Sequence, residues 1–320
     1  MAGASRGALE GYVDEQSATG AAAQFPPVIV NREAWPVSDT LRVVAFNAQW
    51  GLRLDEIIAC LQRPPLKGAG LILLAEIDCN VKRSHNRDVA AEIAEALGMS
   101  YAYVPEFAPR SQMPNPVSFL GNAILSGYPL IGVRKVALPN FRMPRRARRL
   151  NGEPQGIVAR IEPKGRPITV GLAHLHSGIG PAGRERQMTQ YLKGLPEKGP
   201  AIIGGDFNTT TAALMEPRDL VKVMMLMALT PWRFHRPMRF EPLFARLAAA
   251  GFGLEGANAM GRPTFTFSGA VPRWMRPKLD WLALRGLEAV AGSPAVVAAK
   301  TGPFGRRVSD HDFVTCVVRL

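Results

Sequence analysis

Short runs of apolar residues, each of a length typical of a β-strand, recur along the chain from position 41 onward. Val, Ile, Leu, Ala and Phe dominate these runs, and polar or turn-forming residues separate them. Such a pattern predicts strands rather than long helices. We predict strands at 41–46, 71–74, 122–125, 156–161, 168–173, 201–203, 264–267, 279–284 and 313–318. Nine strands suffice for two sheets.

Helix-like patterns are fewer than the predicted strands. They cover 88–97, with Gly98 as a candidate C-cap, then 184–195, and finally 240–250, which ends at Gly251. Because strands and helices do not alternate strictly, the pattern favours an α/β (α+β) sandwich of mixed sheets with outer helices over a barrel of parallel strands. Positions 1–40 keep neither period, so we predict a partly disordered or loosely packed lead-in before one domain at 41–320.

The composition is that of a globular protein with an excess of basic residues. Against 26 Asp and Glu the chain has 39 Lys and Arg, a net charge of +13, which favours polyanionic partners such as nucleic acid, anionic membranes or phosphorylated substrates. No apolar run approaches the ~20 residues that cross a bilayer, and no secretory signal is visible. Three cysteines without C-x-x-C spacing do not indicate a disulfide framework, so we expect a reduced, cytoplasmic protein.

Polar residues stand next to several predicted strands, at the point where the apolar run ends or begins. These junctions contain Asn47, Glu76, His174, Asp206 with Asn208, Asp280, and the Ser-Asp-His triplet at 309–311. Taken singly, each residue has an ordinary structural explanation: Asn47 caps a turn, Glu76 pairs with a cation, and His174 packs in a core. Because strand ends commonly present side chains to a cleft, six such junctions together favour one site.

The ordered series of these residues resembles the endonuclease/exonuclease/phosphatase superfamily, whose members look like pancreatic deoxyribonuclease. Its most specific pieces are Gly-Asp-Phe-Asn-Thr at 205–209 and Ser-Asp-His at 309–311. The resemblance covers 41–320, and the stretch at 76–107 further resembles a bacterial branch with no settled substrate. The implied fold is a four-layer sandwich, in which two mixed, mostly antiparallel sheets lie face to face with helices outside.

The resemblance implies a divalent metal ion held by oxygen ligands. Glu76 is the natural hard-oxygen ligand, with Asn47 and Asp310 as further ligands. Mg²⁺ accepts one or two carboxylates and retains waters, so this set fits Mg²⁺, with Mn²⁺ as an alternative. Zinc is not expected, because His174 and His176 lack the nearby Asp-His of a zinc hydrolase motif.

The resemblance also implies roles for the remaining polar residues. Asp206 aligns or deprotonates the attacking water, and Asn208 donates its amide to the phosphate or to that water. His311 contacts the phosphoryl oxygens, while Asp280 fixes its tautomer and favours the charged ring. His174 holds the phosphate from the other side or assists the leaving group. Deoxyribonuclease-like members set a second Glu opposite this histidine, and the sequence does not identify that residue.

Basic side chains are candidate contacts for the substrate phosphates. Arg83 can match two phosphate oxygens through its guanidinium. The segment 134–149 holds seven basic residues and no acid, Arg145 and Arg146 among them, and is either a solvated loop or a track for a phosphate backbone. The segment 220–240 joins a Met-rich apolar block to aromatic and basic residues, which suits either core packing or a peripheral contact with a membrane.

The sequence therefore predicts a Mg²⁺-dependent phosphodiesterase that acts on nucleic acid. Two alternatives stay open: a phosphoesterase of phospholipid or inositol phosphate at an anionic membrane, and a catalytically silent binding protein on the same fold. The absence of G-x-x-x-x-G-K-[ST] and of G-x-S-x-G excludes P-loop nucleotide motors and the usual serine hydrolases. The sequence leaves the oligomeric state open.

Overall fold

The structure is a computed structural model of the chain, and it describes residues 25–108, 118–139, 152–213, 217–266, 271–302 and 304–320. Positions 1–24 of the predicted lead-in lie outside these ranges, and so do the candidate phosphate contacts Arg145 and Arg146. Their predicted properties stay predictions.

Twelve strands form two sheets within the described residues. They are β1 (Val28–Val30), β2 (Thr40–Trp50), β3 (Leu71–Cys79), β4 (Ser100–Phe107), β5 (Phe119–Ser126), β6 (Ile131–Ala137), β7 (Gln155–Ile161), β8 (Ile168–Leu172), β9 (Ala201–Asp206), β10 (Asp280–Arg285), β11 (Ala295–Val297) and β12 (Phe313–Arg319). One sheet has the order β1-β4-β5-β3-β2-β12-β11 and the other β10-β9-β8-β7-β6. Only β2 with β3 and β8 with β9 pair in parallel, so both sheets are mixed and mostly antiparallel.

Helices cover the outer faces of both sheets. The described helices are α1 (Leu54–Leu61), α2 (Val89–Leu97), α3 (Pro181–Lys193), α4 (Pro217–Leu229), α5 (Trp232–His235) and α6 (Leu243–Ala249). Residues of α1 and α2 share a buried cluster with one face of the seven-stranded sheet, and residues of α3 and α6 share another with the five-stranded sheet. Across the described ranges, no helix combines the length and apolar character that a membrane crossing needs.

The alternation of side chains along β2 explains why its apolar run is continuous. Val43 and Ala45 lie in the cluster between the two sheets, whereas Val44 and Phe46 lie in the cluster beneath the helices. Successive side chains of a strand point to opposite faces, so a strand that is covered on both sides needs apolar residues at every position. The predicted four-layer sandwich is therefore confirmed.

The strand predicted at 264–267 is wrong for residues 264–266, the part of it that the structure describes. Phe265 forms only an isolated bridge with His311. The hydroxyl of Thr264 accepts a hydrogen bond from the backbone N–H of Asp280 at 3.0 Å. This segment therefore fixes the start of β10 instead of adding a strand to a sheet.

Four strands were not predicted, namely β1, β4, β6 and β11. Two are only three residues long, and β1 lies inside the predicted lead-in, where it pairs with β4. β6 is an edge strand that exposes most of its side chains, including basic ones, so it lacks an apolar run.

The helix predicted at 240–250 begins at Leu243, after a separate turn at Pro237–Arg239.

Candidate active site

Irregularities in β2 and β3 bring Asn47 and Glu76 to the rim of a cleft. The pairing register of β3 shifts between Leu74 and Ile77 on one side, and that of β2 shifts after Asn47. Glu76 itself has φ of 51°, which is unusual for a residue other than glycine. Bulges and strained backbone re-aim side chains and are concentrated at functional sites. Here the bulge leaves Glu76 partly exposed between buried neighbours.

His174 lies between two glutamates, directly after β8. Its Nε2 is 3.6 Å from Glu76 Oε1, and its Nδ1 is 3.7 Å from Glu106 Oε2. Burial on its own would lower the pKa of His174, but Glu106 and then Glu76 outweigh it and raise the pKa to about 9. The ring is therefore protonated, and positively charged, at neutral pH.

Glu106 faces His174 on the nitrogen opposite Glu76, where the resemblance implies a second glutamate that the sequence does not identify. It is 1% exposed at the end of β4, where its Oε1 accepts the backbone N–H of Gln155 at 2.8 Å. Among the described residues its Oε2 has no hydrogen-bond partner, and it faces His174. Pro105 and Glu106 interrupt the apolar run of this strand, which is why the pattern did not mark a strand end there.

Asp206 ends β9 in the floor of the cleft. Its Oδ2 accepts the amide of Asn47 at 3.2 Å, and its Oδ1 accepts the backbone N–H of Asn208 at 2.8 Å. The preceding residue, Gly205, has φ of 128°. A Cβ at this position would lie 2.4 Å from the carbonyl oxygen of Ala173, so glycine lets the end of β9 lie close to the residue that follows β8. Burial raises the pKa of Asp206, and the positive charge of His311 opposes that shift only in part.

His311 completes the cleft from the loop before β12. Its Nδ1 is 2.8 Å from Asp280 Oδ2, and its Nε2 is 3.7 Å from Asp206 Oδ2. The β9–β10 ladder places Asp280 directly opposite Asp206. Although burial would lower the pKa of His311, Asp280 and then Asp206 raise it to about 10. This ring is also cationic at neutral pH.

Asn208 and Asp310 stand close to these groups. The amide of Asn208 donates to the carbonyl of Leu175 at 2.7 Å, which orients it toward the β8 end of the cleft. The backbone N–H of Asp310 donates to the side chain of Gln49 at 3.1 Å. Burial raises the pKa of the Asp310 carboxyl, His311 opposes that shift, and the negative charge of Glu76 adds to it. The carboxylates of this cleft therefore repel one another.

In the part of the chain that the structure describes, two groups of side chains have the spacing of metal ligands, and both contain Asp206. One is Glu76 with His174 and Asp206, and the other is Asp206 with Asp280 and His311; in each, the ligand atoms lie within 4.8 Å of one another. Asp310 belongs to neither group. Both groups contain carboxylate oxygens and no thiol, and crowded carboxylate oxygens suit a hard divalent cation such as Mg²⁺ or Mn²⁺. The protonated rings of His174 and His311 would not bind it. The residues present therefore fit such an ion.

Arg83, a predicted phosphate contact, is already paired. Its Nε and one terminal nitrogen donate to the two oxygens of buried Asp78, both at 2.8 Å. Its guanidinium also stacks 4.1 Å from the centre of the Trp50 ring. The sequence reasoning missed both partners. A cavity of about 150 Å³ lies at His174, and Glu76, Glu106 and His176 also line it.

Comparisons with known proteins agree with this arrangement. A model of the Endonuclease/Exonuclease/phosphatase family matches residues 44–311. Among solved structures, the endonuclease/exonuclease/phosphatase from Beutenbergia cavernae DSM 12333 is similar with a TM-score of 0.61 at 18% identity, over 88% of this chain and 72% of that one. The human Nocturnin catalytic domain with bound sulfate anion has a TM-score of 0.53 at 17% identity, over 93% of this chain and 97% of that one.

A third similar structure is D. rerio TDP2 complexed with single strand DNA product, with a TM-score of 0.55 at 14% identity, over 88% of this chain and all of that one. A comparison with curated proteins finds no match. At these identities the similar structures show a shared fold.

Proposed function

The chain belongs to the Endonuclease/Exonuclease/phosphatase family, and we propose that it is a Mg²⁺-dependent phosphodiesterase. The observation that carries the proposal is the position of buried Asp206 between two histidines, whose pKa values the neighbouring carboxylates raise. His311 lies 3.7 Å from this carboxylate, and His174 has the spacing of a shared ligand group with it. A phosphate anion in the cleft would meet two positive rings and one base.

Glu76, Asn47 and Asp310 would hold the divalent ion, with Mg²⁺ preferred and Mn²⁺ as the alternative. When bound, the ion polarises the phosphoryl group and offsets the negative charge that develops during hydrolysis. The raised pKa of Asp310, to which the charge of Glu76 contributes, supports this assignment, because a cation between such carboxylates relieves their repulsion.

The protein groups supply the remaining steps of hydrolysis. Asp206 accepts a proton from the attacking water, whose oxygen forms a bond to phosphorus while the bond to the leaving oxygen breaks. His174 donates its proton to that leaving oxygen, and Glu106 stabilises the charged ring before transfer. His311, oriented by Asp280, holds a phosphoryl oxygen.

Nucleic acid is the proposed substrate class. The net charge of +13 favours a polyanion, and the TDP2 structure named above holds a single-stranded DNA product on the same fold. Arg83 has one terminal nitrogen that the Asp78 pair leaves for a phosphate oxygen. Arg145 and Arg146 are proposed to contact further phosphates.

A phospholipid phosphoesterase at an anionic membrane is the second candidate. An exposed apolar surface with basic neighbours, on α4 and α5, favours it. We also propose a cytoplasmic location, peripheral to the membrane in this second case, because the three cysteines are buried free thiols.

A substrate panel tests the proposed function. DNA, RNA, inositol phosphates, a sphingophospholipid and a glycerophospholipid are each incubated with Mg²⁺, with Mn²⁺ and with chelator, and the Asp206→Asn protein serves as the matched blank. We expect metal-dependent cleavage of DNA or RNA that the blank lacks. Cleavage of lipid alone would select the second candidate, and no turnover of any substrate would indicate a silent binding protein.

A further inference from the structure

One side of α4 exposes large apolar residues to solvent. Val221, Met224, Met225 and Leu229 are each 58% to 68% exposed. They stand at i, i+3, i+4 and i+8, so they share one side of the helix. The opposite side is the one that packs on the protein, since Val223 and Met227 are buried with Phe234. The helix is thus apolar on the side that faces away from its own core.

Two tryptophans on segments that pack against the same cluster are also exposed. Trp232 begins α5 and is 58% exposed, and Trp274 in the turn Arg273–Met275 is 54% exposed. Phe234 and Met275 belong to one cluster, which joins α5 to that turn. We call the four exposed residues of α4 together with Trp232 and Trp274 the apolar surface. Single exposed hydrophobic residues are common, but six from adjoining segments are not.

The charges around the apolar surface are mainly positive. Lys222, Arg236, Arg239 and Arg273 are exposed, and positions 220–240 and 271–276 contain no Asp or Glu. Asp219, in the first turn of α4, is an acidic residue next to this surface in the chain. Such a surface combines apolar area with positive charge at its margin. It therefore complements a partner that is apolar inside and negatively charged at its surface.

We propose that the apolar surface docks on anionic lipid membranes. Apolar and Trp side chains enter the boundary between headgroups and acyl chains, while Lys and Arg contact anionic headgroups. Self-association fits this surface poorly, because a symmetric dimer would bring together two copies of a surface whose exposed charges are mainly positive. The apolar area also distinguishes it from a nucleic-acid surface, which needs charge rather than exposed Met and Leu.

The apolar surface is linked to the catalytic cleft through short connections. The backbone N–H of Lys278 donates to the carbonyl of Phe234 at 2.9 Å, and Asp280 follows two residues later. Ala212, four residues after Asn208, is buried in the same cluster as Phe234. Docking would therefore hold the cleft near the membrane. This proposal concerns where the site of the proposed phosphodiesterase works, but lipid binding itself needs neither metal nor turnover.

Vesicle sedimentation in chelator tests the proposal without catalysis. Wild-type protein is mixed with vesicles of phosphatidylcholine and phosphatidylserine, or of phosphatidylcholine alone, at low and moderate salt. The test variant combines Met224→Gln, Met225→Gln and Trp232→Ala. Val37→Gln is the matched control, since Val37 is 71% exposed on the segment between β1 and β2. Circular dichroism checks that each variant folds.

We expect wild type and V37Q to bind the anionic vesicles, and to keep measurable binding at moderate salt because apolar insertion is not screened. The test variant should bind the anionic vesicles at least about tenfold more weakly than wild type. It should still cleave a soluble diester at the wild-type rate. Absence of wild-type binding would overturn the proposal, as would unchanged binding of the test variant. Sedimentation equilibrium that shows a dimer lost in the test variant would instead assign the surface to self-association.

Discussion

Glu106 and His174 form a charged pair inside the cleft, with Glu106 Oε2 3.7 Å from His174 Nδ1 and no hydrogen bond to that oxygen from any described residue. A buried carboxylate without a partner is costly unless a nearby charge compensates it. The protonated ring is that charge. The pair therefore keeps a proton donor available in a buried site at neutral pH.

Replacing Glu106 with Gln should weaken His174 as a proton donor. Removal of the negative charge lowers the pKa of His174 from about 9, so the alkaline loss of activity should begin at lower pH in the variant. We expect kcat for a soluble diester to fall by roughly ten- to a hundredfold at neutral pH. Glu162→Gln, at an exposed glutamate, is the control. An unchanged pH–rate profile would remove Glu106 from the mechanism.

Asp206→Asn and His311→Ala should each reduce the rate by about a hundredfold or more, because a base and a phosphate contact commonly contribute on this scale. Asp280→Asn should cost less, since it disturbs the orientation of His311 without removing the ring. Steady-state kinetics with circular dichroism measures both effects, and Asp39→Asn, at an exposed carboxylate that pairs with Lys164, is the control. Near-normal rates in folded variants would place the site elsewhere.

The buried pair of Arg184 and Glu241 should stabilise the loop that follows Asp206. Glu241 accepts the guanidinium of Arg184 and also the backbone N–H of Thr211 at 2.8 Å, and neither charged side chain is exposed. Glu241→Ala leaves a buried charge without its partner, which costs about 3–5 kcal/mol of unfolding free energy.

Denaturant unfolding measures that cost, and the exposed pair of Arg246 with Glu185 provides the comparison. Glu185→Ala should cost at most about 1 kcal/mol, because water screens exposed charges. Equal losses at the two positions would contradict the role assigned to burial. A smaller loss in an Arg184→Met, Glu241→Leu double variant than in Glu241→Ala would support it.

The sequence revealed those site residues that stand in short local motifs. Asp206 and His311 follow or precede strong apolar runs, so their strand ends are visible without a structure. Glu106 is not, because a proline interrupts its strand and its relation to His174 arises only when two sheets pack together. Arg184 and Glu241 are 57 residues apart, and no local pattern marks two charges that fold into a buried pair.

The same limit applies to Arg83. Residue type alone predicts its guanidinium as a phosphate contact, and no local pattern indicates that Asp78 pairs with its edge while Trp50 stacks on its face. Residue type indicates what a side chain can bind. Which partner it has depends on the packing of β2 against β3, and the bulges in these strands leave no regular signal in the sequence.

The metal requirement of diester hydrolysis tests the central claim most directly. Initial rates on a soluble diester are measured as Mg²⁺ is titrated into chelator-treated wild type and Glu76→Gln. We predict no turnover of the wild type without metal, restoration by Mg²⁺ or Mn²⁺, and a much higher Mg²⁺ requirement in the variant, because Gln lacks the charge that binds the ion. Full turnover in excess chelator, or identical titrations for the two proteins, would contradict it.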